Sequence, residues 1–280
     1  MNHSLSPVKS PPAQAADAKG LPEVKLPEVR LPMSVLNPVA PTRNVENFGV
    51  LMSRLVTRAP DMPGLGCFFG RAGLGKSKSA IWGANTYRAY FVECSQFTTA
   101  KSLLTRILAE MGIAHAKGSV PDLLDMACER MAMDPSRPLI IDEAHWIAAK
   151  RFVDIARALH DLSRAPIILI GEEMLPTALE AHERIHSRML DWVEAEPANA
   201  ADLRHLAKVH ARSITLGPDA IQLLLERTSG NTRRIVVAIN DMNEWAASRN
   251  ITEITSGTYD FGRIRAHKAP LGAHRHGRRT

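Results

Sequence analysis

Apolar residues follow two alternating spacings through the middle of the chain. Short apolar runs recur, as in strands buried within a sheet, and between them apolar residues fall three or four positions apart, as on one face of a helix. The runs predicted to be strands are 65–69, 89–93, 139–142, 167–170 and 192–194. Strands that alternate with helices predict an α/β fold, in which a parallel sheet is covered by helices on both faces in three αβα layers.

Capping residues and prolines mark where the intervening helices begin and end. Asn44 is placed to cap a first helix that ends before Pro60, and Ser119 with Asp122 forms a capping box for a helix over 120–133. The other helices predicted between strands are 76–87, 99–111, 149–163 and a segment that carries Arg184 and Arg188.

The pattern changes to helices alone from about Asp202, and Pro218 opens one of these helices. A small helical subdomain is therefore expected after the sheet. The predicted parts of the chain are a disordered proline-rich tail at 1–43, the αβα domain at 44–198, the helical subdomain at 199–258 and a basic tail at 259–280.

The first tail contains a tandem repeat, Leu-Pro-Glu-Val followed by a cation, between residues 21 and 30. Prolines at this spacing favour an extended segment. A docking segment for a partner and a spacer without a partner both fit this composition.

Composition places the chain among globular proteins with a basic end. Its 280 residues with 45% hydrophobic content can bury an α/β core and a small second unit. The formal net charge is +6, and the chain after Asp260 has six Lys and Arg residues and no acid, so the remainder is neutral. A tail of this kind neutralises phosphates without reading base sequence, or serves only to keep the protein dissolved.

The sequence lacks the features of membrane and disulfide-rich proteins. No stretch approaches the roughly 18 consecutive apolar residues of a membrane span, and the first residues lack the apolar core of a secretory signal. Three widely spaced cysteines indicate neither a disulfide framework nor a zinc site. We therefore expect a cytoplasmic protein without a membrane partner.

A glycine-rich segment after the first predicted strand matches the phosphate-binding pattern G-x-x-x-x-G-K-S/T. Its glycines allow the backbone to approach a phosphate closely, and the helix that follows points its positive dipole end at the anion. Lys76 supplies a cation for the β and γ phosphates, and Ser77 supplies a hydroxyl for Mg²⁺. The residues predicted to bind a nucleotide in this segment are Gly70, Arg71, Ala72, Gly73, Leu74, Gly75, Lys76, Ser77 and Lys78.

A second segment supplies acidic groups for the same chemistry. Asp142 ends a strand too apolar to lie at an exposed edge, and ligands of parallel α/β sheets bind at the carboxyl ends of strands. Asp142 would hold Mg²⁺ together with Ser77, while Glu143 would polarise the attacking water as general base. The two segments together predict a protein that binds ATP with Mg²⁺ and hydrolyses it.

A phosphate-binding loop in an α/β core with a helical appendage resembles the AAA+ ATPases, a family of P-loop NTPases. Residues 230–234, Gly-Asn-Thr-Arg-Arg, are similar to that family's G-D/N-x-R element in its helical lid. The resemblance implies that Arg233 is the second sensor, which contacts the γ phosphate. It also implies that Arg188, or failing that Arg184, is the arginine finger that completes a neighbouring subunit's site, although a surface arginine on an amphipathic helix fits equally.

The sequence departs from the family pattern at the first sensor, which is ordinarily polar and uncharged. Here Gly171 is followed by Glu172 and Glu173. A carboxylate next to a γ phosphate is repelled unless it points away, bonds the attacking water or binds Mg²⁺, so slow hydrolysis is expected. His145, three residues after Asp142, is interpreted as a helix-start residue or a coupling group.

The motifs taken together are similar to the transposition ATPases, the B protein of Mu-like phages and its relatives TnsC and TniB. The segments that carry this likeness are 69–77, 140–145, 168–173 and 230–234. The resemblance implies an ATP-bound oligomer or filament that coats duplex DNA without sequence preference, recruits a transposase or integrase and stimulates it. Hydrolysis would then disassemble the filament, in the cytoplasm of a bacterial host and at its nucleoid.

Contacts of such filaments with DNA come from loops that line a central channel. Lys101, Lys150 and Arg151 are candidates by position, and solvated charges are the alternative for each of them. Two other functions fit the same motifs. One is a helicase loader of the DnaC or IstB type, and the other is a DNA-binding scaffold that is gated by nucleotide and has little turnover.

Overall fold

Residues 39–264 are described by a computed structural model of the chain. The Leu-Pro-Glu-Val repeat and most of the basic tail lie outside the described residues.

Five strands form one parallel sheet in the spatial order β2-β3-β4-β1-β5. They are β1 (Leu65–Phe69), β2 (Tyr90–Glu93), β3 (Leu139–Asp142), β4 (Ile167–Gly171) and β5 (Met189–Glu194). All five strands were predicted, although β5 begins three residues before the predicted 192. Because the strands run in parallel, their carboxyl ends share one edge of the sheet.

The helices cover both faces of this sheet and then form a separate group after β5. In chain order they are α1 (Arg43–Val56), α2 (Lys76–Thr86), α3 (Ala100–Glu110), α4 (Val120–Ala132), α5 (His145–Ala149), α6 (Asp154–Ser163), α7 (Leu175–Glu180), α8 (Glu183–His186), α9 (Ala200–His210), α10 (Pro218–Thr228) and α11 (Thr232–Ala247). The αβα arrangement predicted from the sequence is confirmed.

Side chains of β3 and β4 alternate between two buried clusters, which explains why these strands are apolar at every position. Ile140 and Ile168 pack with α1, whose Phe48 meets Phe68 at a ring distance of 5.2 Å. Ile141 belongs to the larger cluster on the other face, which includes residues of α3, α4 and α6. Strands buried on both faces lose the alternation of polar and apolar residues that an exposed sheet shows.

Two predicted helices are interrupted in the structure. The helix predicted over 149–163 begins only at Asp154 as α6, because Ala149 ends the separate helix α5 and Arg151 between them has a left-handed backbone with φ of +59°. The helix predicted to carry both arginine-finger candidates is likewise short, since α8 ends at His186. Arg184 lies on α8, whereas Arg188 lies outside it and directly precedes β5.

The group of helices after β5 has its own buried cluster, built from α9, α10 and α11. The prediction of helices alone is corrected here, because two short parallel strands, β6 (Thr215–Leu216) and β7 (Glu253–Ile254), belong to this group. Ala40 and Phe261, outside the predicted limits of the subdomain, are buried in the same cluster. No helix within residues 39–264 combines the length and the apolar character needed to cross a membrane.

Candidate nucleotide-binding site

The glycine-rich loop leaves the carboxyl end of β1 and turns into α2. Gly73 and Gly75 have φ of +84° and +94°, in the left-handed region that favours glycine. A Cβ at Gly73 would also lie 2.6 Å from Oδ1 of Asn231, so this position has no room for a side chain. Sterics and backbone conformation therefore both require glycine here.

Backbone N–H groups of this loop are available to an anion. Among the described residues, none accepts a hydrogen bond from the N–H groups of residues 72–77. The N-terminus of α2 adds the positive end of its dipole at the same place. This arrangement fits a phosphate chain, as the sequence predicted.

Lys76 is almost buried at the first position of α2. Its Nζ donates hydrogen bonds to the carbonyl oxygens of Gly70 and Arg71 at 2.6 and 2.9 Å. Burial lowers the pKa of Lys76, and the carboxylates of Glu143 and Asp142 partly offset that effect. The ammonium group is thus held beside the loop by neutral oxygens, without a directly bonded carboxylate.

Asp142 and Glu143 stand at the carboxyl end of β3, next to the loop. Asp142 is 2% exposed, and its Oδ1 accepts a hydrogen bond of 2.9 Å from the N–H of Glu143. Glu143 has a left-handed backbone with φ of +54°, a conformation that costs about 1–3 kcal/mol in a residue other than glycine. Burial, followed by the charge of Asp142, raises the pKa of Glu143, which suits a group that must accept a proton.

A cavity of about 370 Å³ lies over the loop and collects most of the predicted site residues. Those that line it are Ala72, Gly73, Gly75, Lys76, Ser77, Lys78, Glu143, Glu172 and Arg233. Gly70, Leu74 and Asp142 are predicted site residues that do not line the cavity. Leu74 and Asp142 are buried, and the carbonyl of Gly70 accepts a hydrogen bond from Nζ of Lys76. Arg71 is exposed, and its Nε lies 3.6 Å from the Glu173 carboxylate.

Ser77 and Asp142 are the residues that would hold Mg²⁺. Magnesium at such sites takes ligands from substrate phosphates as well as from one or two protein groups, so a serine hydroxyl and a carboxylate are sufficient. Within residues 39–264 no group of three or more His, Cys, Asp or Glu side chains forms a separate metal site. When bound, the ion would neutralise charge on the phosphates.

The start of α11 docks directly on the glycine-rich loop through three adjacent residues. The N–H of Arg233 donates to the carbonyl of Gly73 at 2.9 Å, and Nδ2 of Asn231 donates to that of Ala72 at 2.9 Å. Thr232 adds a hydrogen bond of 3.4 Å from Oγ1 to the carbonyl of Leu74. Arg233 was predicted from the sequence, whereas Asn231 and Thr232 of the same five-residue element were not.

Asn44 connects the first helix to the same loop and does not cap that helix as predicted. Thr42 occupies the cap position, while Asn44 is 4% exposed within α1. Its Nδ2 donates to the carbonyls of Leu74 and Glu196 at 2.9 and 2.8 Å, and its Oδ1 accepts from the N–H of Glu196 at 2.9 Å. A buried amide satisfied in this way fixes the loop against the end of β5.

The remaining lining of the cavity is mostly apolar, with Thr42, His210 and Thr232 as its polar members. Val39, Ala40 and Val45 line it near the first helix, and Leu206, Val236 and Val237 line it from α9 and α11. An apolar wall beside a phosphate-binding loop suits a nucleobase. The sequence did not reveal this wall, because its residues are far apart along the chain and belong to ordinary amphipathic helices.

Arg188 lies at the opposite edge of the sheet, where the strands begin. Its Nε and one terminal nitrogen bond both oxygens of Asp161 at 3.2 and 3.3 Å. Asp161 also accepts from Arg157 at 2.9 Å, and these bonds hold its pKa below the usual range despite partial burial. Arg184 is exposed and has no ion-pair partner among the described residues.

The candidate DNA-contact residues lie near loop 95–99, with Lys101 in the first turn of α3 and Lys150 and Arg151 directly after α5. Lys150, after α5, donates from Nζ to the carbonyl of Gln96 and, at 3.0 Å, to that of Thr98, so it holds loop 95–99 between β2 and α3. Lys101 and Arg151 are exposed. Phe97 at the centre of this loop is 80% exposed, a feature to which the sequence analysis assigned no role.

This architecture is the AAA+ P-loop NTPase fold. The model of the AAA domain family matches residues 61–179, which include both the glycine-rich loop and the Asp142-Glu143 segment and so form an AAA-type P-loop ATPase domain. No curated protein is close enough in sequence to count as a match.

Several solved structures share the fold. The chain superposes on the Aeropyrum pernix ORC2 protein, solved as ADPNP–ADP complexes, with a TM-score of 0.59 and 14% identity, covering 76% of this chain and 64% of that one. For the Aeropyrum pernix ORC1 protein in complex with DNA the TM-score is 0.56 and the identity 16%, with coverages of 76% and 62%. For Cdc6p from Pyrobaculum aerophilum the TM-score is 0.55 and the identity 16%, with coverages of 80% of this chain and 66% of that one. The chain thus spans less than two thirds of each of these chains.

Proposed function

We propose that this protein is an ATPase that binds ATP with Mg²⁺, oligomerises on duplex DNA without sequence preference and is disassembled by hydrolysis. In this proposal it recruits and stimulates a transposase or integrase at target DNA. The role in transposition rests on the resemblance to the Mu B, TnsC and TniB proteins, and the ATPase role rests on the site itself.

One observation supports the proposal, namely that the predicted site residues lie at two opposite edges of the sheet. Lys76, Glu143 and Arg233 surround one cavity, which supplies a cation, a general base and a second cation near the terminal phosphate. Arg188 is fixed at the other edge, where it cannot serve its own cavity but can serve that of a neighbouring subunit. A half-site of this kind makes turnover depend on assembly.

DNA contact is supported by the loops around Lys150. Lys101 at the start of α3 and Lys150 and Arg151 after α5 place cations near loop 95–99, and none of the three lines the cavity. One of the structures with the same fold was solved in complex with DNA. In this proposal the three cations contact phosphates, so binding falls steeply with salt.

The test is electron microscopy and binding of the full chain with linear duplex DNA of mixed sequence. ATP should produce filaments or rings on the duplex, and ADP should not. Arg151→Ala should lower affinity equally on all sequences and reduce the slope of log affinity against log salt by about one. Lys117→Ala, on the turn before α4, is the matched control. Equal slopes for the wild type and Arg151→Ala would remove Arg151 from the interface.

The transposase partner is tested separately. ATP-bound protein should raise strand transfer into target DNA by a candidate transposase or integrase, and the protein with Lys76→Ala should not. Stimulation without ATP would contradict this part of the proposal.

A helicase loader is the second candidate, and Phe97 is the observation that favours it. An exposed aromatic ring beside cations is suited to stack on unpaired bases, which a closed duplex does not offer. Competition between single-stranded and duplex DNA distinguishes the two functions. A clear preference for single strands that Phe97→Ala abolishes would favour the loader.

A further inference from the structure

His145 is close to the proposed general base without being bonded to it. Nδ1 of His145 is buried, lies 3.2 Å from Oε2 of Glu143 and makes no aligned hydrogen bond to any described residue. The Trp146 ring is centred 4.9 Å from the His145 ring, tilted by 43°. The buried Nδ1 therefore faces the carboxylate of Glu143 without a hydrogen bond, and a small rotation of the His145 side chain would complete one.

The short helix α5 connects this contact to the loop proposed to meet DNA. His145 is its first residue, and Lys150 follows its last residue. Lys150 holds loop 95–99 through the carbonyls of Gln96 and Thr98. The two ends are only about 7.5 Å apart along the axis, at 1.5 Å per residue.

Packing of α5 against the core keeps the helix rigid, so that any displacement would move it as one piece. Ile147 and Ala148 are buried in the large core cluster, and the N–H of Ala144 donates to the carbonyl of Ile170 at 2.7 Å. Packed elements of this kind shift between discrete positions and do not deform continuously. A displacement of loop 95–99 would therefore reach His145.

We propose that His145 is a positioning residue that couples contact of loop 95–99 with DNA to the orientation of the Glu143 carboxylate. This inference rests on the proposed DNA-dependent ATPase function. It assigns His145 no direct contact with nucleotide. Its role is to align Glu143 once α5 has moved.

The experiment measures steady-state ATP turnover of the full chain with and without saturating duplex DNA. The quantity compared is the ratio of DNA-stimulated to basal rate. His145→Ala should lower this ratio at least about fivefold, the size of a modest coupling between two sites. Affinities for ATP and for DNA, measured separately, should change less than about twofold.

Two further variants separate positioning from a structural role. His145→Asn, whose Nδ2 can take the position of Nδ1, keeps an amide donor near Glu143 and should restore part of the ratio, whereas His205→Ala on α9, which does not line the cavity, should leave it unchanged. Failure of His145→Asn to exceed His145→Ala would contradict the role of that donor. Should His145→Ala fail to fold, His145→Leu provides the loss-of-contact variant.

The path through α5 is tested at its other end. Lys150→Ala should also lower the ratio, and the variant carrying both substitutions should fall no further than the more affected single variant, because the two residues act in series. If the reductions of the two single variants instead multiply in the double variant, the two residues act independently and the connection through α5 is wrong.

Failure of this inference is distinguishable from failure of the proposed function. If the wild-type protein is not stimulated by DNA, both proposals are wrong. If the wild type is stimulated and His145→Ala is stimulated to the same extent, only the role of His145 is wrong.

Discussion

The two edges of the parallel sheet treat their charged residues in opposite ways. At the carboxyl edge, Lys76 bonds only to carbonyl oxygens, and Glu143 has a strained backbone and a raised pKa. At the amino edge, Arg188 belongs to a chain of ion pairs that runs through Asp161 and Arg157 to Asp154. Lys76 at the carboxyl edge thus has no bonded carboxylate, while Arg188 at the amino edge is held by an ion pair.

This difference indicates that the two edges have different roles in the proposed reaction. Groups without a bonded partner of opposite charge can bind a ligand and activate it for reaction, at a cost to stability that the surrounding fold must offset. A charged side chain held in an ion pair has a fixed orientation, and it can be presented in that orientation to another molecule. The bonds from Arg188 to Asp161 use Nε and one terminal nitrogen, and the other terminal nitrogen donates to Oγ of Ser187 at 2.9 Å, so these bonds use three of the five N–H donors.

The largest expected effect concerns the carboxyl edge. Glu143→Gln should lower ATP turnover about 10³-fold, because an amide cannot accept the proton of the attacking water. ATP binding should persist, and assemblies on DNA should last longer. Phosphate release and nucleotide affinity are the measurements.

Glu180→Gln, on the exposed end of α7, is the matched control for that substitution. A wild-type protein without turnover, or a Glu143→Gln protein that retains it, would instead favour the nucleotide-gated scaffold. The presence of Glu172 in the cavity makes this comparison necessary.

The amino edge should show the next largest effect. Arg188→Ala should reduce turnover about 10²-fold without weakening ATP binding, as expected when one cation that stabilises a phosphoryl transition state is removed. Mixing it with Lys76→Ala subunits should recover activity, because each supplies the half that the other lacks.

Arg184→Ala is the control for this prediction and should retain most of the activity. If Arg184→Ala loses turnover and Arg188→Ala does not, the finger is Arg184. Absence of recovery on mixing would indicate that the site is complete within one subunit.

A smaller effect is expected from the carboxylate that holds Arg188. Asp161→Asn should lower turnover about tenfold, which corresponds to the loss of one charge-assisted hydrogen bond. Asp161→Glu should be milder. Nucleotide affinity and the melting temperature serve to exclude unfolding, and a rate above wild type would mean that Asp161 restrains Arg188 and does not orient it.

The smallest expected effect is a dependence of stability on pH at the amino edge. His160 on α6 is buried beside Gly64, its Nδ1 lies 2.9 Å from the carbonyl oxygen of Ala165, and burial lowers its pKa. The unfolded chain then binds the proton more readily, so His160 costs stability as pH falls through about 6.5, the ordinary histidine value. Denaturant unfolding at pH 7 and pH 5 measures this loss, which should shrink in His160→Gln.

Much of the site follows from the sequence because its chemistry is local. The glycine-rich loop must be contiguous for its N–H groups to converge, and Asp142 and Glu143 must follow a buried strand to reach the same edge. Those residues could therefore be recognised without coordinates. The cap assigned to Asn44 and the continuous helix over 149–163 were wrong, because burial of an amide and a left-handed residue at Arg151 depend on tertiary packing.

The parallel αβα fold, the phosphate-binding loop and the acidic pair could be predicted from the sequence, since each depends on periodicity or on neighbouring residues. Tertiary packing was needed to show that Asn231 and Thr232 dock on the loop, that apolar residues of three helices and the preceding segment form one wall, and that Asp161 holds Arg188. Those contacts join positions far apart in the chain. Their geometry is set by how the layers pack, and no local pattern of residues encodes it.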